Sequence, residues 1–230
     1  RRRTPRTELP VVNFRTRNAQ VKREKMVARL LSATMEVCGN TNRRGTAVID
    51  DVVRAAGVSR GAFYWYFDTL DEAIETLGRR MADDISTETA SLFRTQPNPV
   101  LRAALGGQVM MRRASMDPVW AGYLSNVHGL LDDSKFVTRV RRNLEAGRSA
   151  GEYQFESIKV ALDFQIGAVL AAIRRCATES PPAAALVEMN VLVLRGLGVK
   201  APVAVEMASE AARIVDEVGP EKLPWWRNSR

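Results

Sequence analysis

Apolar residues recur along most of this chain at spacings of three and four, the period of an amphipathic helix. Val21, Met26, Val27, Leu30, Leu31, Met35 and Cys38 follow it from about Asn18 to Cys38, with no Gly or Pro inside. Gly39-Asn40 is expected to end that helix in the left-handed conformation. A short helix from Ala47 to Ala56 follows, with Thr46 as its candidate cap and Asp50 and Asp51 in its first turns, where acids suit the helix dipole. Gly57 stops it, Ser59 caps a third helix over Arg60 to Phe67, and Asp68 or Thr69 caps a long one from Leu70 to Phe93.

Pro97 and Pro99 then break the chain. The pattern beyond them predicts helices at about 100–115, 118–130 and 134–148, a turn at Gly151, and a long apolar helix over 156–177. Pro181-Pro182 opens a helix over 183–197, which Gly196 and Gly198 end, and the last runs from near Pro202 to about Val218. No segment alternates apolar and polar residues between hairpin turns. The fold class expected is all-α, with nine or ten helices and no internal repeat. Four units are expected: an arm at 1–17, a small head at 18–69, a larger helical body at 70–219 and a tail at 220–230. Trp225-Trp226 in the tail reads as an anchor onto the body or a neighbouring subunit.

Charge sharpens this division. The chain of 230 residues has 34 Lys+Arg against 26 Asp+Glu, a net charge of +8. Residues 1–45 hold twelve basic and three acidic side chains, +9, so everything after them sums to −1. A basic front end on a neutral body is the footprint of a polyanion binder, or of a solvated basic tail. Several chemistries are unfavoured. One histidine, His128, leaves no multi-His metal site, and Cys38 and Cys176 are too far apart for a zinc knuckle or a CxxC pair. There is no Gly-rich phosphate loop and no nucleophile elbow, although a carboxylate pair stays open. No apolar run is long enough for a membrane span, no secretory leader pattern is seen, and a reducing, cytoplasmic setting is expected.

The informative stretch is Asp50 to Phe67, two short helices joined by a turn at Gly57. Val52, Ala56, Val58, Phe63 and Phe67 are spaced to close a small core against the first helix. That is a helix-turn-helix layout, whose second helix enters the DNA major groove. Its first turn is Ser59-Arg60-Gly61-Ala62. Arg60 has the reach for guanine O6 and N7, Gly61 and Ala62 allow close approach, and the Ala62 methyl suits a thymine methyl. Tyr64, Trp65 and Tyr66 span about 200° of helix and so cannot all face one core. Their polar tips suit phosphate oxygens. Lys22, Arg43, Arg44 and Thr46 complete the candidate DNA-binding set. Residues 46–80 sum to −2, so the recognition helix itself is not a basic element.

The run Ala56-Gly57-Val58-Ser59-Arg60-Gly61-Ala62-Phe63-Tyr64-Trp65-Tyr66-Phe67 resembles the recognition signature of the TetR (tetracycline-repressor) family of bacterial regulators, over about residues 18–75. Gly147 to Tyr153 weakly resembles the turn before that family's penultimate helices. Three positions depart from the pattern. Ala47 stands where the family has Thr, Leu70 where it often has Lys, and Val53 where a small Ala is common. The first two put phosphate contacts in doubt.

The resemblance implies a homodimeric repressor on double-stranded DNA with a palindromic operator, released by a small-molecule effector, and not an enzyme. It implies no cofactor and no metal. The same head on a ligand-independent or nucleoid-type protein is the alternative. Dimer residues implied are Ile166, Leu170, Ile173, Leu186, Met189 and Val193. Gly167, Ala168, Ala171 and Ala172 would permit close helix approach. Effector-binding candidates are Met110, Met111, Trp120, Tyr123, Leu124, Val127 and Phe164, with Met116 and Phe136 beside them. Trp120, Tyr123, Leu124 and Val127 form a stripe that reads equally as plain core. Gln108, Asn126, His128, Asp163 and Gln165 are polar residues among apolar neighbours that could orient a ligand. The composition points to an apolar effector.

Overall fold

A computed structural model describes residues 14–40, 46–93, 96–126 and 135–228, with side chains omitted at 14–16, 91, 126, 227 and 228. Among the described residues there are ten α-helices, a 3-10 turn and no strand. The head contains α1 (Phe14–Gly39), α2 (Ile49–Ala56) and α3 (Arg60–Tyr64). From it runs α4 (Leu70–Phe93), followed by α5 (Pro99–Met116), α6 (Pro118–Asn126), α7 (Lys135–Ser149), α8 (Ile158–Thr178), α9 (Ala183–Gly196) and α10 (Ala201–Lys222). The 3-10 turn is Pro224–Asn228. No helix is long and apolar enough to cross a membrane, among the described residues.

Local chemistry explains the element ends. Asn98 caps α5, its side-chain oxygen accepting from the N–H groups of Val100 (2.8 Å) and Leu101 (3.2 Å), with Pro99 in the first turn, where no donor is lost. Thr69 Oγ1 accepts from Glu72 N–H (3.0 Å) while the Glu72 carboxylate accepts from Asp68 N–H (2.7 Å), which starts α4. The cap of α2 is not Thr46. Val48 holds that position, and Asp51 reaches back to accept its N–H (3.1 Å). Gly57 adopts φ 62°, the left-handed stop expected of it. Gly39 does not. It is the last helical residue of α1, and a Cβ there would fall far inside contact distance of the Val119 carbonyl of α6. Its role is close backbone approach between head and body.

Two apolar clusters hold the molecule together. One joins Leu30, Leu31, Val52, Phe63 and Phe67 of the head to Ala73, Leu77, Met81 and Ile85 of α4, and continues to Trp120, Tyr123, Ile173 and Cys176. The other fills the body around Leu105, Leu144, Tyr153, Leu162, Leu194, Val215 and Leu223. Because α4 and α6 belong to the first cluster, the head is packed on the body and not merely tethered to it. Tyr123 fastens this seam, its hydroxyl donating to the Ile74 carbonyl of α4 (2.7 Å), and burial pushes the phenol above its ordinary range. At the far end Trp225 donates from Nε1 to Glu88 of α4 (3.0 Å), and Arg112 lies 5.2 Å over the Trp226 ring. The tryptophan pair thus packs onto the chain's own body.

Candidate nucleic-acid interface and interior cavity

At the head, Ser59 sits in extended backbone and its Oγ accepts from Ala62 N–H (3.1 Å), starting α3 at Arg60. Phe63 and Phe67 are buried against the head core, their rings 5.7 Å apart. Burying those two positions turns their neighbours outward. Tyr64 is exposed, Trp65 is 81% exposed, and Gly61 is open, with only Ser59 Oγ within 4 Å of a built Cβ, at 3.8 Å. Tyr66 differs from its neighbours. It is half-buried, with the Arg23 guanidinium of α1 5.6 Å from its ring centre. Lys22 and Thr46 are exposed, while Arg43 and Arg44 lie outside the described residues.

Arg60 is already engaged. Its Nη1 contacts both carboxylate oxygens of Asp50 on α2, at 3.0 and 3.1 Å. Tyr64 and then Asp50 hold its guanidinium above the ordinary arginine value. Both members are about half exposed, so solvent screens the pair and a stronger acceptor can displace it. Arg29 of α1 donates to the Gly57 carbonyl (3.4 Å), tying the turn to the first helix. Surface cations at Lys22, Arg23 and Lys25 lie on the same helix. The head therefore offers one short helix with exposed polar and aromatic groups, backed by a basic helix.

In the body, a cavity of about 470 Å³ lies between four helices. Ala90 and Phe93 of α4 line it, with Arg102, Ala103, Gly106, Gly107 and Met110 of α5. From α7 come Phe136, Arg139, Val140, Arg142, Asn143 and Ala146, and from α8 come Gln165, Ile166, Val169 and Leu170. Asn143 organises one end. It accepts from Arg102 Nε (3.0 Å) and donates to the Pro99 carbonyl (2.9 Å), which Tyr153 hydroxyl also reaches (2.8 Å). Arg139 donates through Nη1 to the Ser86 carbonyl and to Thr89 Oγ1 (2.9 Å for the latter).

This geometry redistributes the expected body residues. Met110 lines the cavity, but Met111, Trp120, Tyr123 and Leu124 belong to the seam between head and body and do not line it. Their stripe is core because both α1 and α8 pack over α6. Phe164 lies on the outside of α8, over Gly196 of α9, and Val127 and His128 lie outside the described residues. Ile166 and Leu170, expected at a dimer face, turn into the cavity. Ile173, Leu186 and Val193 are buried inside this one chain, and Met189 is half-buried between the clusters, so none of the four leads an outer face. Gln108 pairs with Asn190 of α9 (3.1 Å) and Asp163 is exposed, so Gln165 is the expected polar residue that reaches the cavity.

Sequence reading missed Arg102, Arg139, Arg142 and Asn143. One signal was present, the recurrence of Phe136, Arg139, Val140 and Asn143 at i, i+3, i+4 and i+7 along α7. Among the described residues no cluster of His, Cys, Asp and Glu could hold a metal.

Comparison with known proteins agrees with the head and the architecture. Residues 30–74 match the family described as bacterial regulatory proteins, tetR family. No curated protein matches the sequence significantly. Among solved structures, RolR in complex with resorcinol superposes with a TM-score of 0.64 at 22% identity, covering 83% of this chain and 96% of that one. A gamma-butyrolactone receptor, ArpA-like, gives 0.60 at 18% identity, covering 85% and 99%. CprB of S. coelicolor A3(2) gives 0.59 at 17%, covering 84% and 98%. At these identities the structures establish a shared fold, and the family match speaks for residues 30–74. The chain thus carries, over residues 30–74, the helix-turn-helix head of bacterial regulatory proteins of the tetR family, which makes it a DNA-binding regulator by its head, on a helical body with the fold of these solved structures.

Proposed function

We propose that this protein is a homodimeric repressor in the bacterial cytoplasm, released from a palindromic operator by a small molecule held in the interior cavity. The observation that carries the reading is the course of α4. Its first half packs on the head core through Ala73 and Leu77, and its last turns supply Ala90 and Phe93 to the cavity wall. A ligand that favours one tilt of this helix therefore shifts the head. A coupling of about 1–3 kcal/mol changes operator affinity roughly 5- to 150-fold. A ligand indifferent to the two tilts does nothing. RolR was solved with resorcinol bound, which supports a ligand-responsive role for a chain of this fold.

DNA contact is assigned to α3 and its flanks. Arg60 exchanges Asp50 for a base edge, Gly61 and Ala62 face the groove floor, and Ser59, Tyr64, Trp65 and Thr46 approach the backbone, with Lys22 adding charge. Arg43 and Arg44 belong to the same proposed set. The dimer face is the outside of α8 and α9, where Val160 is 66% and Leu192 55% exposed beside Phe164, and Gly167 has open space around it. Two-fold pairing there sets the two recognition helices about one DNA turn, roughly 34 Å, or a multiple apart.

Selection from fragmented genomic DNA tests the reading. A single motif with two inverted half-sites, bound by two chains, is expected. Sequence-independent retention overturns the reading and favours a nucleoid-type protein with the same head.

A further inference from the structure

We propose that the interior cavity takes an organic anion with an apolar, aromatic-sized body and an N–H or O–H donor beside it. This rests on the effector reading above and specifies the class of molecule, which the sequence alone had placed among apolar compounds.

Charge on the cavity wall carries the inference. Arg102, Arg139 and Arg142 line it, and no Asp or Glu does. Among the described residues none of the three is paired with a carboxylate, whereas their neighbours Arg112 and Arg113 are paired with Asp216 and Glu88. Neutral acceptors hold two of the guanidiniums in place, Asn143 for Arg102 and Ser86 with Thr89 for Arg139. Such bonds orient a cation without cancelling its charge. Burial pushes the Arg139 guanidinium below its ordinary value, so its charge is costly where it stands. An anion in the cavity relieves that cost and gains charge-assisted hydrogen bonds, roughly twice as strong as neutral ones.

The remaining wall fixes the rest of the molecule. Phe93, Met110, Phe136 and Leu170 are apolar and suit a ring or branched chain. Gln165 is 8% exposed and its Oε1 is buried with no hydrogen-bond partner. An unpaired buried acceptor asks for a donor. A volume of about 470 Å³ accommodates a two- or three-ring compound.

A matched pair of dyes tests this on the full chain. 8-Anilino-1-naphthalenesulfonate carries the anion, the apolar body and an N–H, and N-phenyl-1-naphthylamine is the same body without the charge. Fluorescence titration is expected to give one site per chain, with the sulfonate bound about tenfold or more tighter. Arg102→Gln and Arg139→Gln should each erode that preference. Arg142→Gln, at an exposed position, does the same where an interior variant fails to fold. Equal binding of the two dyes, binding of neither, or a preference that survives in folded variants overturns the proposal. Adding each dye to the protein–operator complex separates the two readings. Release by the neutral amine as effective as by the sulfonate overturns the anion class and leaves the effector role standing. A preference for the sulfonate with no release leaves the anion site standing and overturns the effector role.

Discussion

Gly39→Ala is the smallest change that should disturb how the head sits on the body. A Cβ at this position would be driven into the Val119 carbonyl, with Val119 C at 3.1 Å and Tyr123 N at 3.2 Å. All three are backbone atoms of α6, so no rotamer change relieves the clash. Nor can α6 retreat, because Trp120 and Ala121, turned away from this contact, are fully buried. Relief requires α1 to move away by most of an ångström, carrying α2 and α3 with it. Overpacking of this kind costs about 1–3 kcal/mol. For a chain of this size that lowers Tm by about 2–12 °C. Calorimetry at fixed protein concentration measures it, and fluorescence anisotropy on selected DNA measures the loss of operator affinity. Gly61→Ala is the internal control. Its Cβ meets nothing closer than Ser59 Oγ at 3.8 Å, so the same substitution should stabilise by about 0.4–1 kcal/mol through the unfolded chain while still weakening DNA binding. A Gly39→Ala protein with unchanged Tm and unchanged operator affinity would refute the role given to this contact.

Two further outcomes follow from buried polar groups. Gln165→Leu removes an acceptor that is buried without a partner, so Tm should rise, by the equivalent of about 1 kcal/mol or more, and a fall would show that Oε1 is satisfied in solution. Glu88 is desolvated despite Arg113 at 3.3 Å, and burial raises its carboxyl above the ordinary value of 4.5. The folded chain then holds this proton more tightly than the unfolded one, so this group's contribution to stability is lost as pH rises from 4.5 through the raised value. Glu88→Gln should flatten the stability–pH curve between pH 4.5 and neutrality, as followed by urea unfolding, and parallel curves would contradict it.

Most helix positions were legible in the chain because periodicity, caps and proline breaks agree with one another. The long α4 was readable from Leu70 to about Phe93, and of its two candidate caps, Asp68 and Thr69, the structure uses Thr69. What periodicity reports is burial, and burial has more than one cause. Trp120, Tyr123 and Leu124 lie on an apolar stripe whether it faces a ligand, a partner or the head. Only the packing of α1 and α8 over α6 decides among them, and that is a long-range fact. Arginines suffered the reverse error. On a one-dimensional count Arg102, Arg139 and Arg142 are solvent charge, whereas helix rotation brings them to one wall. Gly39 was legible as a stop but not as a spacer, since both uses favour the same residue. For Ser59 and Gly57 the signal was local, and the structure keeps it.

The Asp50–Arg60 pair has a bearing on selectivity. In the free protein the guanidinium already has an acceptor, so on the proposed base contact a site on DNA competes with a built-in rival rather than with water. A base pair presenting two acceptors replaces what is surrendered. One that presents none leaves Arg60 on Asp50 and gains nothing from the guanidinium. Discrimination is a difference between right and wrong partners, and it grows when the wrong partner is penalised as well as the right one rewarded. On the proposed contact, Asp50 sets how strong an acceptor must be before Arg60 leaves it, which separates sites that offer two acceptors from sites that offer a weaker one.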